Sequence, residues 1–270
     1  MNITFIGGGN MASAMIGGLL RKGWQPGAIT VVEIAAPARA QLESRLKVKT
    51  APAIDAAAAS AACIVLAVKP QQMRAVALEL GPLLREQLVV TIAAGIRLAD
   101  LSRWLGGYSR IVRVMPNTPA LVLAGVSGLC AAPNVSAEDR GAAERILGAV
   151  GATVWLERED QLDAVTAVSG SGPAYVFYFI EALEKAATGL GLREDAARKL
   201  ALQTFAGAVK LALEAGESPA ELRARVTSRG GTTERALQAL DSDGVKSAIA
   251  RAVRAAAERS RELGDELGRD

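Results

Sequence analysis

Two stretches of this chain hold residues whose types and spacing suit chemistry. The first is Thr227-Ser228-Arg229-Gly230-Gly231-Thr232-Thr233-Glu234, where hydroxyls and paired glycines lie between two helix-patterned segments. Adjacent glycines allow positive φ and bring backbone N–H groups close to a ligand, and Thr232 or Thr233 is placed to cap the next helix. A small anion suits such a helix start. The plainer alternative is a helix–helix turn with an incidental cap. The second stretch is Gly7-Gly8-Gly9-Asn10-Met11-Ala12, the G-x-G-x-x-A form of the dinucleotide fingerprint. Gly7 makes the tight turn, Gly9 admits a pyrophosphate, and Ala12 lets the helix pack on the strand.

Further polar or compact turns follow apolar runs. Glu33 ends the second run about 24 residues after Gly9, where a carboxylate accepts from the adenosine ribose and repels a 2′-phosphate. That position favours NADH; Arg39, close behind, is placed to meet a phosphate, so use of both NADH and NADPH is expected. Ala67-Val68-Lys69-Pro70, Ala93-Ala94-Gly95 and Met115-Pro116-Asn117-Thr118-Pro119 each follow an apolar run. Strand ends of this kind gather on one edge of a doubly wound sheet, where ligands bind. Lys69 would approach ribose hydroxyls or the carboxamide, and Asn117 and Thr118 offer polar groups between stiffening prolines. For each turn taken singly, a plain helix start is the competing explanation.

The elements that position these turns show in the hydrophobic pattern. Strand candidates are Ile3–Ile6, Ile29–Val32, Cys63–Val68, Leu88–Ile92, Ile111–Val114, Val126–Leu129 and Thr153–Leu156. Amphipathic stretches at Met11–Arg21, Ala38–Leu46, Gln71–Leu80 and Ala137–Ala149 alternate with them, and the alanine run 55–59 is expected to be helical. The alternation predicts βαβ units and a largely parallel sheet over residues 1–160. From about Asp160 helical spacing takes over, as in Asp195–Ala215 and Val245–Leu267, so residues 161–270 are expected to form an all-helical domain. The helix from Ala174 to about Leu190 is apolar on more than one face, which predicts burial on two sides, within the domain or against another subunit.

Composition excludes several function classes. The 270 residues are 50% hydrophobic and 22% charged, with a net charge of +3 spread along the chain, which suits two soluble cores and not nucleic-acid binding. No run approaches the ~20 apolar residues of a membrane span. Cys63 and Cys130 sit in apolar surroundings typical of reduced thiols, and no leader segment is evident, so a cytoplasmic location is expected. Histidine is absent altogether, which removes imidazole as base, proton shuttle or metal ligand; no metal site is expected.

Taken together, these residues resemble the pyrroline-5-carboxylate reductases, which make L-proline. The resemblance runs along nearly the whole chain, through residues 5–12, 67–70, 93–95, 113–119, Val-Ser-Gly-Ser-Gly-Pro-Ala-Tyr-Val-Phe at 168–177 and Val-Thr-Ser-Arg-Gly-Gly-Thr-Thr at 226–233. It implies a Rossmann-type doubly wound α/β domain followed by an all-helical dimerisation domain. It also implies assembly as a homodimer or a ring of dimers such as a homodecamer, with the glycine–threonine loop meeting the nicotinamide end of the cofactor at the dimer interface. Glu33 with Ala35 and Ala36 departs from the hydroxyl, Asn or Arg groups of NADPH-preferring members.

The chemistry of an imine acid can be set against the same residues. Hydride from the nicotinamide must reach the C=N carbon, and a protonated or hydrogen-bonded nitrogen eases that step. No acid lies between Val226 and Thr233, so the nearest donor is a threonine hydroxyl: Thr233 matches the family's catalytic position, with Thr232 the alternate. Backbone N–H groups around Ser228, Gly230, Gly231 and Thr232 would hold the carboxylate. The Ser169–Ala174 loop, with Pro173 at a helix start, is expected near this site. A β-hydroxyacid dehydrogenase would need a lysine soon after a glycine-rich helix start, yet none follows Gly172 until Lys185. A non-catalytic nicotinamide sensor has no use for Ser228 and Thr233.

Overall fold

The computed structural model describes residues 1–269. The chain divides into two compact units, one formed by Met1–Ser171 together with the segment from Ala256 onward, the other by Gly172–Ala255.

In chain order the elements are β1 (Ile3–Ile6), α1 (Asn10–Arg21), β2 (Ile29–Val32), α2 (Ala36–Leu46), β3 (Lys49–Ala51), β4 (Cys63–Leu66), α3 (Met73–Leu80), β5 (Leu88–Thr91), α4 (Leu98–Trp104), β6 (Ile111–Met115), β7 (Gly125–Ala131), α5 (Ala137–Leu147), β8 (Gly151–Trp155), α6 (Gln161–Val165), α7 (Gly172–Gly189), α8 (Glu194–Glu214), α9 (Pro219–Arg225), α10 (Thr232–Ser242) and α11 (Val245–Leu267). The eight strands make one sheet in the order β3-β2-β1-β4-β5-β6-β7-β8. All pairs are parallel except β6 with β7. The doubly wound α/β unit expected from the alternating pattern is therefore present.

Every residue of β1, β4 and β5 is buried, as expected for parallel strands covered on both faces. Successive side chains feed opposite layers. Phe5, Val65, Val90 and Val112 join Met15 and Ile16 of α1 and Ile146 of α5, while Ile6, Leu66, Val89 and Ile111 join Met73 of α3 and Leu101 of α4. Arg113 also lies in β6, 7% exposed. It is tolerated there because Glu159 pairs with it at 2.8 Å and also accepts from the Leu98 N–H at 2.7 Å.

Two local expectations are corrected. The alanine run is a 3-10 turn at Ala58–Ser60, not an α-helix: Asp55 Oδ1 accepts from the Ala58 N–H at 2.7 Å and closes the turn. The Cys63 strand stops at Leu66, where Gly7 packs against the Ala67 backbone. The pattern also omits β3, a short polar edge strand.

The second unit is helical throughout, and α7 packs on α8. Its buried side chains among the described residues are confined to Ala197 and Ala201. No residue of α7 is buried, and Phe177 and Tyr178 are 67% and 70% exposed. Burial of α7 on two sides within its own domain is therefore not what the chain provides. An apolar helix with so little covered within its own chain is what a subunit interface requires. Among the described residues no helix is long and apolar enough to cross a membrane.

Candidate active site

The dinucleotide turn joins β1 to α1. Gly7 has φ +99°, and a Cβ there would lie 2.7 Å from the Ala67 carbonyl oxygen; neither the backbone nor the space admits another residue. Gly8 is crowded by Leu42, where a Cβ would come within 2.6 Å of Cδ1. Gly9 differs from both. It is the N-cap of α1 with extended φ −67° and ψ −175°, and a Cβ would meet nothing within 4 Å. Nothing in the protein itself requires glycine at that position, whereas close approach of a pyrophosphate does. Asn10 and Met11 open α1, so their N–H groups belong to the unpaired first turn, and Ala12 is buried against the sheet. The residues present thus fit a dinucleotide.

At the end of β2, the Glu33 carboxylate is held from two sides. Oε2 accepts from the Gly8 N–H at 3.1 Å and Oε1 from the Ala35 N–H at 2.9 Å. Arg39 turns back on the same loop, Nη1 donating to the carbonyls of Glu33 and Ile34 at 2.8 and 3.0 Å.

The turns after β4, β5 and β6 lie on the edge that carries Gly7 and Glu33, because these strands run parallel to β1. Ala67 donates to the Ile6 carbonyl at 2.8 Å, which ties the Ala67–Pro70 turn to the glycine loop, and Lys69 precedes Pro70 with its side chain exposed. Ala93 is buried and Ala94 exposed, while Gly95 has φ +76° and packs against Leu263 and Leu267 of α11. Asn117 is 8% exposed and already engaged: Oδ1 accepts from the Val126 N–H at 2.9 Å and Nδ2 donates to the Ser169 carbonyl at 3.2 Å. Its main work is to tie the β6–β7 connection to the segment before α7, leaving one N–H to offer a ligand.

That segment is more than the loop expected at Ser169–Ala174, although α7 does start at Gly172 with Pro173 in its first turn, as expected. Thr166–Gly170 is a π-helical turn continuing α6, closed by Ser171 N–H on the Thr166 carbonyl at 2.8 Å. Single π-turns inside helical segments recur at functional sites.

The glycine–threonine stretch joins α9 to α10. Gly230 takes φ +72°, while Gly231 does not need positive φ: it is the N-cap of α10 at φ −82°, and its lack of a Cβ leaves room for Ser228, whose Oγ would lie 2.5 Å from one. The expected threonine cap is absent. Thr232 and Thr233 are the first two helical residues, one and two positions too late to cap, and no side chain caps α10. The two glycine amides are engaged internally, Gly231 on the Ser228 carbonyl at 3.1 Å and Gly230 on Glu234 Oε2 at 2.7 Å. Glu234, the last residue of the stretch, has no role in the sequence pattern and gains one here. It stands three positions after the N-cap, the spacing of a carboxylate that reaches back over a helix start.

Neither thiol is a nucleophile in waiting. Burial pushes Cys63 far above the ordinary thiol range and raises Cys130 as well.

With this geometry in hand, similarity to known proteins becomes specific. A family described as "Pyrroline-5-carboxylate reductase dimerisation" matches residues 159–263, and one described as "NADP oxidoreductase coenzyme F420-dependent" matches residues 2–95. The pyrroline-5-carboxylate reductase of Pseudomonas aeruginosa is 46% identical over 267 residues, 98% of each chain. The chain belongs to the pyrroline-5-carboxylate reductase family. The Haemophilus influenzae member is 43% identical over 97% of each chain. Among solved structures, the Coxiella burnetii reductase superposes with a TM-score of 0.93 at 43% identity, covering 97% of this chain and 98% of that one. The Plasmodium falciparum pyrroline carboxylate reductase, solved with NADP bound, gives 0.85 at 29% identity over 98% of both.

Proposed function

We propose that the chain reduces the C=N bond of L-1-pyrroline-5-carboxylate to give L-proline, the last step of proline biosynthesis, with the Ser228–Thr233 turn as its substrate site. The reaction and the use of NAD(P)H follow from family membership over the full length. We assign residues 1–160 to cofactor binding and 161–270 to dimerisation and substrate binding. Bound NAD(P)H supplies the hydride. The Gly7–Ala12 turn receives the pyrophosphate, Glu33 the ribose, and the Ala67–Pro70, Ala93–Gly95 and Asn117 turns line the same sheet edge.

The observation that carries the substrate assignment is the start of α10, where Gly231 as N-cap is followed at once by Thr232 and Thr233. Their first-turn N–H groups and the Ser228 hydroxyl converge on one helix start, a donor set for a carboxylate. The glycine amides, engaged on Ser228 and Glu234, shape the turn. The Thr233 hydroxyl donates to the imine nitrogen. A neutral hydroxyl is a weak acid, so toward the neutral imine Thr233 only orients the nitrogen while the proton comes through water; where the substrate arrives already protonated as an iminium, whose nitrogen has no lone pair, Thr233 Oγ instead accepts from its N–H. No covalent intermediate is required.

The helical unit makes the protein a homo-oligomer, which accounts for the uncovered apolar surface of α7. We place the protein in the cytoplasm as a homodimer, further assembled into a ring of dimers such as a homodecamer. The deciding assay supplies pyrroline-5-carboxylate to the purified protein and follows oxidation of NADH and NADPH in parallel. Oxidation with proline as product is expected; folded protein inactive with both cofactors overturns the reading.

A further inference from the structure

The description of the matched amino-terminal family names NADP, so the choice between the two cofactors has to be read from this chain's own β2 turn. Three observations there agree. The Glu33 carboxylate is fixed by the Gly8 and Ala35 N–H groups at 3.1 and 2.9 Å, one of them on the phosphate-binding turn itself. Swinging it away to admit an anion would break both bonds. The next four residues, Ile34-Ala35-Ala36-Pro37, carry no hydroxyl, amide or cation. Arg39, the cation nearest in sequence, is tethered through Nη1 to the Glu33 and Ile34 carbonyls at 2.8 and 3.0 Å, which ties its guanidinium to the backbone of the turn.

The arginines of the neighbouring cleft stand well along their helices. That cleft, running from Gly8 between α1 and α2, includes Arg21 and Arg45. Arg45 lies nine residues beyond Ala36 on α2, roughly 13 Å along the axis, and Arg21 eleven beyond Asn10 on α1, roughly 16 Å. A 2′-phosphate carries about −1.5 to −2 charges near neutral pH and needs several donors in contact. A ribose 2′-hydroxyl needs one acceptor, and Glu33 supplies it.

We infer that Glu33 makes this chain an NADH-selective enzyme, by accepting from the adenosine ribose and excluding the 2′-phosphate of NADPH. The inference rests on the cofactor site proposed above but not on the identity of the imine substrate. The turn selects through binding, so discrimination falls on KM and leaves kcat nearly equal for the two cofactors.

The test measures kcat and KM for both cofactors, and, in the same protein, displacement of bound NADH by ADP and by 2′,5′-ADP. At least a 10-fold advantage of NADH in kcat/KM is expected, carried by KM, with ADP displacing NADH more strongly than 2′,5′-ADP. In Glu33→Gln and Glu33→Ser the KM for NADPH should fall and the ratio narrow at least 5-fold. Equal kcat/KM values, an NADPH preference in the unaltered protein, or a ratio unmoved by both substitutions overturns the inference. The displacement arm needs neither turnover nor a variant, so it decides the cofactor question even if pyrroline-5-carboxylate is not reduced.

Discussion

Glu234 folds back over the turn that precedes it, and its Oε2 accepts from the Gly230 N–H at 2.7 Å. This bond pins a glycine that sits at φ +72° in the left-handed region of an exposed loop, beside the Gly231 N–H bond to the Ser228 carbonyl at 3.1 Å. The substrate carboxylate proposed for the same turn approaches a loop already shaped by a carboxylate. Glu234→Ala removes the pin, and a charged hydrogen bond at an exposed site is worth about 1 kcal/mol, so KM for the imino acid should rise by about 3- to 10-fold. Glu234→Gln, which keeps an acceptor, should recover most of the loss. Steady-state kinetics with cofactor saturating measure both, and an unchanged KM in the alanine variant removes the pin from the account.

Thr233 differs from Glu234 in that it is assigned to the reacting atoms. Replacing it with alanine keeps a good helix former at the second position of α10, so the fold is expected to stand. Turnover should fall by about 10-fold or more, the loss of one hydrogen bond strengthened in the transition state, while the dissociation constant for reduced cofactor stays put. Thr232→Ala should cost less in turnover. If Thr232→Ala has the larger effect on turnover, the two roles are exchanged.

The glycines of the first turn separate folding from binding. Gly7→Ala puts a Cβ 2.7 Å from the Ala67 carbonyl oxygen at φ +99°, so it should lower the melting temperature and abolish cofactor binding together. Gly9→Ala meets no protein atom within 4 Å at ordinary backbone angles. Its melting temperature without ligand should match the parent within about 2 °C, while cofactor affinity drops by about 10-fold or more as the methyl group intrudes on the pyrophosphate. Thermal melts with and without NADH read both variants.

Much of this was legible before the structure, and the parts that were not share a cause. β1, β2, β4 and β5 announce themselves because each is an apolar run flanked by turn residues, and the glycine fingerprint lies directly between β1 and α1 as its spacing requires. The short strand β3 has only Lys49, Thr50 and Ala51 to offer, and it exists because β2 presents an edge for it to pair with. The C-terminal turns of α11 read simply as more helix. Their place in the first unit depends on Arg97 pairing with Asp265 at 2.7 Å and on Ser260 donating to Asp163 at 2.7 Å, contacts between residues far apart in sequence. At the site, the glycine–threonine motif marks the turn, but the cap falls on Gly231, one residue before Thr232, and the bond from the Gly230 N–H to Glu234 depends on the turn's own backbone, which residue types alone do not show. The π-turn at Thr166–Gly170 has no pattern of its own, since it differs from an α-turn only in where its carbonyls are satisfied.

Stability toward acid should depend on one partly buried pair of the first unit. Arg110 grips Asp139 with two bonds, Nε to Oδ2 at 2.7 Å and Nη2 to Oδ1 at 2.8 Å, and the Ser136 hydroxyl adds a third at 3.0 Å. The Asp139 side chain is 7% exposed, against 38% for Arg110. The guanidinium hydrogen bond, more than any other cause, holds the Asp139 carboxyl below its ordinary range. Because the folded value is lower than the unfolded one, the pair contributes its full stabilisation above the unfolded value of about 4. As pH falls past that point the unfolded chain takes up the proton first, and the contribution is lost as pH drops through the folded value. Asp139→Asn keeps the size and the contact with Ser136 while removing the charge, so its melting temperature at pH 7 should be lower by about 2–8 °C, the effect of a charged bond worth roughly 1–2 kcal/mol in a chain of this size. Below about pH 4 the difference between parent and variant should shrink, since protonation then does to the parent what the substitution has already done. Melting curves collected from pH 7 to pH 3 give both slopes, and parallel curves would mean that another carboxylate governs the acid limb.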